Sequence, residues 1–178
     1  NGTLTPLTRS ADGLRRAYRL VLDKPGREVR LSYQGRPVFG QRRSMGGMPI
    51  GEVSANGVYL DGNSAWYPML EGPITGLDLR VTAPPGWQAL SIGRRSVTDG
   101  EQRWTSAKPH DDLYLIAGRF HRHAKTHAGV DLSIWLLQDD PELAQRYLSV
   151  MGDYLDHYSA LIGPYPFPKF ALVENFWQ

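Results

Sequence analysis

The chain has 178 residues with 20 Lys+Arg against 18 Asp+Glu, and a net charge of only +2 implies no polyanion such as nucleic acid as partner. Hydrophobic residues at 41% and charged residues at 21% exclude disorder of the whole chain, and no apolar run approaches a membrane span. The absence of cysteine excludes disulfides and thiol chemistry and leaves the compartment open.

The opening NGTLTPLTRS carries neither an initiator methionine nor a signal-like apolar stretch, and the last residues stop within an apolar run. Both ends read as cuts, so the chain is expected to be part of a longer one. Residues 14–137 are mostly short strand patterns divided by Gly, Pro and Asn turns. Alternation predicts a strand over 28–33 with Val29, Leu31 and Tyr33 on one face, and another over 77–82 with Leu77, Leu79 and Val81 inward. Residues 57–60 and 65–69 fit short strands across the turn Asp61-Gly62-Asn63-Ser64. A stiff Pro-Pro-Gly turn leads into a strand over 88–92, which 103–107 is expected to join through the turn at Asp99-Gly100.

LYLIAGRF, residues 113–120, is apolar on both faces until Arg119 and predicts a strand well inside a sheet. Residues 130–137 read as its antiparallel return. The best-marked element follows. Asp139 or Asp140 caps a helix, Pro141 suits its first position, and Glu142 adds negative charge to the first turn. Leu143, Tyr147, Met151, Tyr154, Tyr158 and Leu161 form the apolar stripe, widened by Leu148, Leu155 and Ile162. Gly163 and Pro164 end the helix, and a further strand begins after them.

Several constellations invite chemistry. His121, His123 and His127 form H-x-H-x3-H and invite zinc, but a row of exposed side chains at the end of a hairpin explains them without a metal and is the preferred reading. His157 reads as surface, and His110 as a hydrogen-bonded linker residue beside Asp111 and Asp112. The glycine-rich stretch 45–51 lacks the Lys-Ser/Thr finish of a phosphate loop and reads as a turn. The doublets Arg15-Arg16, Arg42-Arg43 and Arg94-Arg95 read as solvated edges. No GxSxG elbow, HExxH pair or Cys–His pairing occurs, so no catalytic residue and no metal ligand is assigned within the chain.

The strand 113–120, the helix 141–162 and the segment Gly163-Pro164-Tyr165-Pro166-Phe167-Pro168-Lys169-Phe170-Ala171-Leu172-Val173 together resemble the gluzincin zinc aminopeptidase family, of the aminopeptidase N and leukotriene hydrolase type. The likeness is fair over about residues 55–176 and faint before them. It implies a mainly β chain: a saddle-like β-sandwich over 1–110, then, over 111–178, the opening β-hairpin and long helix of a thermolysin-like α/β catalytic domain. It implies a zinc-dependent peptidase acting on peptide substrates. There the metal polarises the scissile carbonyl and activates water, with zinc ligands expected beyond Gln178.

Glu174 and Asn175 invite comparison with that family's G-x-M-E-N motif, whose glutamate helps hold the substrate's amine. Leu172-Val173 do not match its Gly-x-Met, and the register after YPFPK aligns 173–176 with the end of the preceding strand instead. Glu174, Asn175 and Asn63 are therefore candidate substrate contacts at a cleft edge, with a structural role as the alternative for Glu174. AWYPMLEGP keeps a proline of the family's A-R-x-x-F-P-C-x-D-x-P stretch but not its arginine, cysteine or aspartate, which implies a divergent branch.

As part of such an enzyme the chain is expected to be inactive alone, with its catalytic remainder as partner. Incomplete burial is expected at the helix and at Phe176-Trp177, giving an apolar surface for self-association. The competing reading is a β-sandwich protein that binds peptide or carbohydrate without catalysis. Trp66, Trp87, Trp104, Trp135 and Trp177 could supply a stacking surface, although core packing is the expected use of most of them.

Overall fold

The computed structural model describes residues 2–10, 13, 15–26, 28–35, 37, 39, 50–69 and 72–176. Arg42-Arg43, positions 45–49 of the glycine-rich stretch and Trp177 lie outside the described residues. Strands β1 (Gly2–Arg9) and β2 (Arg16–Leu22) form an antiparallel hairpin whose strand residues are all exposed. A four-stranded antiparallel sheet runs β3 (Gly51–Val53), β4 (Val58–Leu60), β9 (Leu115–Gly118), β6 (Gln88–Ser91). A three-stranded antiparallel sheet runs β5 (Leu77–Val81), β8 (Glu101–Ser106), β7 (Arg94–Thr98). The last sheet, β10 (His121–His127), β11 (Val130–Leu136), β12 (Lys169–Val173), is mixed. In it β11 and β12 run parallel, with the helix α1 (Pro141–Ile162) as their crossover. The architecture is mainly β, with several antiparallel sheets and one helix towards the C-terminus.

Local chemistry sets the helix ends. The Asp140 carboxylate accepts the Leu143 amide at 2.9 Å, Pro141 opens the first turn, and Gly163 closes the last at φ 109°. The buried face is rotated from the predicted stripe. Ala144, Leu148, Met151, Gly152 and Leu155 are buried, whereas Tyr147, Tyr154, Tyr158, Leu161 and Ile162 are exposed. The cause is close approach: a Cβ on Gly152 would sit 3.2 Å from the His127 ring, so the small residues face the sheet. The helix keeps a second, solvent-facing apolar side, as the expected incomplete burial requires.

Strand β11 is the centre of the core because both its faces are covered. Val130, Leu132, Ile134 and Leu136 pack on α1. On the reverse face Trp135, fully buried, packs with Leu90, Trp104, Phe120 and Phe176. A period of two thus divides one strand between two hydrophobic clusters.

Several expectations need correction. Residues 28–33 form no strand, and Val29, Leu31 and Tyr33 are exposed, because alternation without a pairing partner does not make a sheet. Residues 65–69 follow a 3-10 turn at Gly62–Ser64 rather than forming a strand. The turn at Asp99-Gly100 is real, but it joins β8 to β7, while β6 pairs with β9. The return strand β11 pairs with β10 rather than with β9, which lies between β4 and β6. Phe176 is buried at 8% exposure, against Phe120. No helix among the described residues is long and apolar enough to cross a membrane.

Candidate functional site

Lys169 stands where the rigid turn 163–168 enters β12, opposite Asp131 of β11. Its ammonium donates to the Tyr114 hydroxyl at 2.9 Å and lies 5.5–5.6 Å from the centroids of the Tyr114 and Trp104 rings. Tyr114 is fixed in turn, since its backbone carbonyl accepts the Ser91 hydroxyl at 2.6 Å and its own hydroxyl donates to the Ser91 carbonyl at 3.3 Å. Lys169 forms no ion pair among the described residues. Burial lowers its pKa to about 8, opposed only partly by Asp131, and burial together with Tyr165 raises Tyr114 to about 12.

Two clefts meet at this trio of Tyr114, Tyr165 and Lys169. The larger, of about 850 Å³, lies between the β6–β7 turn, the segment 105–110 and the aromatic turn 165–168. Its lining carries Arg94, Lys108, Lys169 and the imidazole of His110, with no carboxylate among the described residues. The Lys108 ammonium donates to the Pro166 carbonyl and so links its two walls. Gly93 forms part of its floor at φ 85°, and a Cβ there would lie 2.2 Å from the Thr105 carbonyl oxygen. The smaller cleft, of about 450 Å³, carries Asp61 and Asp112 instead. Asp112 accepts the Tyr67 hydroxyl at 3.0 Å, and Asp61 caps the 3-10 turn.

Behind Lys169 the interior is cationic. Arg95 and Arg122 each place a guanidinium 5.6 Å from the Trp135 ring centroid. The carboxylate beside them, Asp131, is engaged by Arg122 at 2.8 and 3.0 Å. Burial, and then repulsion from Arg122, lowers the pKa of Arg95. Arg95 Nε, Arg122 Nε and Trp104 Nε1 are buried without a hydrogen-bond partner among the described residues, and all three are donors. Arg95 is therefore not a solvated edge; only Arg94 of that doublet is exposed.

Of the residues expected to touch substrate, Glu174 accepts the Leu137 amide at 2.6 Å and Asn63 is hydrogen-bonded to Asp61. Asn175 is exposed beside Glu174. Their chain neighbours Val173 and Asp61 both line the smaller cleft. The histidines separate: His123 pairs with Asp139 at 2.8 Å, His127 with Asp156 at 2.7 Å, and His121 is exposed. Among the described residues no group of three His, Cys, Asp or Glu side chains could hold a metal ion, so these residues do not fit a zinc centre. His157 is exposed, and His110 bonds Ser106 at 2.6 Å rather than its acidic neighbours. Trp104 and Trp135 are core residues, while Trp66 and Trp87 are half-buried.

Sequence reasoning passed over Lys169, although a signal was present: it is the one cation in the aromatic and apolar tract YPFPKFALV. Asp61 and Asp112 carried no comparable signal, because only the fold brings them to one cleft.

No family model matches the sequence, and no curated protein matches it. Among solved structures the fold is similar to that of the aminopeptidase N family protein from Idiomarina loihiensis, with a TM-score of 0.51 and 15% identity. The similarity covers 68% of this chain and 22% of that one, so this chain matches less than a quarter of its length.

Proposed function

We propose that these residues form the non-catalytic front portion of a zinc-dependent, aminopeptidase-like peptidase. The observation that carries this reading is the structural likeness to an aminopeptidase N family protein. The order β11, α1, β12 with its YPFPK turn supports it independently. In this reading residues 1–110 are the later part of a saddle-shaped β domain and 111–178 open the catalytic domain. The exposed Tyr147, Tyr154, Tyr158, Leu161 and Ile162 side of α1 is where the remainder of that domain packs, and it drives self-association when left uncovered. Asn63, Glu174 and Asn175 border the peptide cleft. Zinc would be held by residues beyond Gln178 and would supply an activated water there, and no side chain described here would ligate it.

The coding sequence that follows Gln178 is the test. A His-Glu-x-x-His pair with a further glutamate on the next helix is expected there, and continuation without such a pair overturns the reading. The 178 residues alone are expected to hydrolyse no aminoacyl or peptide substrate. Turnover abolished by a substitution among them would refute the non-catalytic role.

A further inference from the structure

We propose that the larger cleft is a binding site for a carboxylate attached to an apolar or aromatic body, with Lys169 and Arg94 facing the anion. The site does not depend on the peptidase reading, since its lining residues all lie among those described.

Three observations converge on it. First, the polarity is one-sided: among the described residues this cleft has the cations Arg94, Lys108 and Lys169 and no acidic side chain, whereas the neighbouring cleft holds Asp61 and Asp112. A ligand anion therefore meets attraction on one side of Lys169 and repulsion on the other. Second, Lys169 spends one donor on Tyr114 and has no counter-ion among the described residues. A half-buried ammonium held in this way is destabilising by itself, and an entering carboxylate supplies the missing charge. Asp131 offsets this only in part, because its carboxylate is engaged by Arg122. Third, the buried donors near Lys169 that lack a partner among the described residues, Arg95 Nε, Arg122 Nε and Trp104 Nε1, add no negative charge that would oppose an anion there.

The walls specify what accompanies the charge. Tyr165, Phe167 and Ile92 present rings and an aliphatic chain rather than further donors, and a volume of about 850 Å³ admits an acid with a side chain behind it. A free aromatic acid and the C-terminal residue of a peptide share this chemistry. A bare inorganic anion uses only half of the site.

The experiment is calorimetric titration of the protein with N-acetyl-phenylalanine, its amide, N-acetyl-alanyl-phenylalanine and inorganic phosphate at equal ionic strength. Saturable binding of the acid is expected, with the amide about tenfold to a hundredfold weaker, the loss that follows removal of a charge-assisted contact. Stronger binding of the dipeptide acid assigns the site to peptide C-termini, and stronger binding of the single residue assigns it to free acids. Lys169→Met is expected to weaken the acid by a similar factor and leave the amide unchanged, while Lys169→Arg restores part of the binding. If Lys169→Met does not fold, Arg94→Gln, an exposed change, is expected to weaken the acid alone. Equal binding of acid and amide, no binding of either, or phosphate binding as tightly as the acid would overturn the proposal. None of these readouts involves hydrolysis, so failure here leaves the peptidase reading standing, and the converse also holds.

Discussion

The Glu174 carboxylate accepts the backbone amide of Leu137 at 2.6 Å, while the Glu174 amide donates to the Trp135 carbonyl at 2.9 Å. The two bonds fasten the end of β12 to the end of β11, where the chain leaves for the helix. The Glu174 carboxylate thus joins the two strand ends.

Glu174→Ala is expected to destabilise the fold by about 1 kcal/mol, the net worth of a partly solvated, charge-assisted backbone bond. Glu174→Gln retains an acceptor and is expected to lose less than half of that. Urea unfolding of the two variants beside the parent protein measures the difference. Equal stability of all three would show that the bond contributes nothing to folding.

Stability should rise with alkalinity through Lys169. Its folded pKa, about 8, lies below the ordinary lysine value of 10.5, so between these values the unfolded chain binds more protons and folding gains as pH increases. The penalty of burying the ammonium is fully present below about pH 8 and is relieved towards pH 10.5. The groups facing it are Tyr114, Tyr165 and Asp131, and Tyr114, held up to about 12, stays protonated across this window in the folded state. Parent minus Lys169→Met stability, measured by denaturant titration from pH 7 to 10, is expected to increase by up to about 3 kcal/mol. A flat difference would contradict the burial of a charged lysine.

The two sides of α1 should respond differently to truncation. Leu148→Ala removes a side chain only 4% exposed and is expected to cost about 2–5 kcal/mol. Leu161→Ala, on the exposed side at 64%, should change stability by less than about 0.5 kcal/mol. Thermal unfolding distinguishes them, and similar losses would mean that the helix buries its other face.

Gly93 and Gly100 both have positive φ, 85° and 81°, but only Gly93 is crowded. Gly93→Ala pays strain and a collision with the Thr105 carbonyl, for an expected loss of about 2 kcal/mol or more. Gly100→Ala meets nothing within 4 Å and should cost about 1 kcal/mol from backbone conformation alone. Comparing their melting midpoints separates the two causes, and equal shifts would remove the close approach from the account.

Helix α1 was legible to the residue, because Asp140, Pro141 and Gly163 act on backbone within one turn of themselves. The strand over Leu77–Val81 was legible too, since each face of its alternation meets a different environment. Residues 28–33 alternate as cleanly and join no sheet among the described residues, for a strand needs a partner that its own sequence does not name. Which side of α1 is buried, why Arg95 stacks on Trp135, and how Lys169 comes to divide a cationic cleft from an acidic one were decided by contacts between distant segments. Capping and periodicity are short-range properties that a sequence carries in itself. The electrostatics of a cleft come from the packing that gathers charges from separate stretches of chain, and they exist only once the chain is folded.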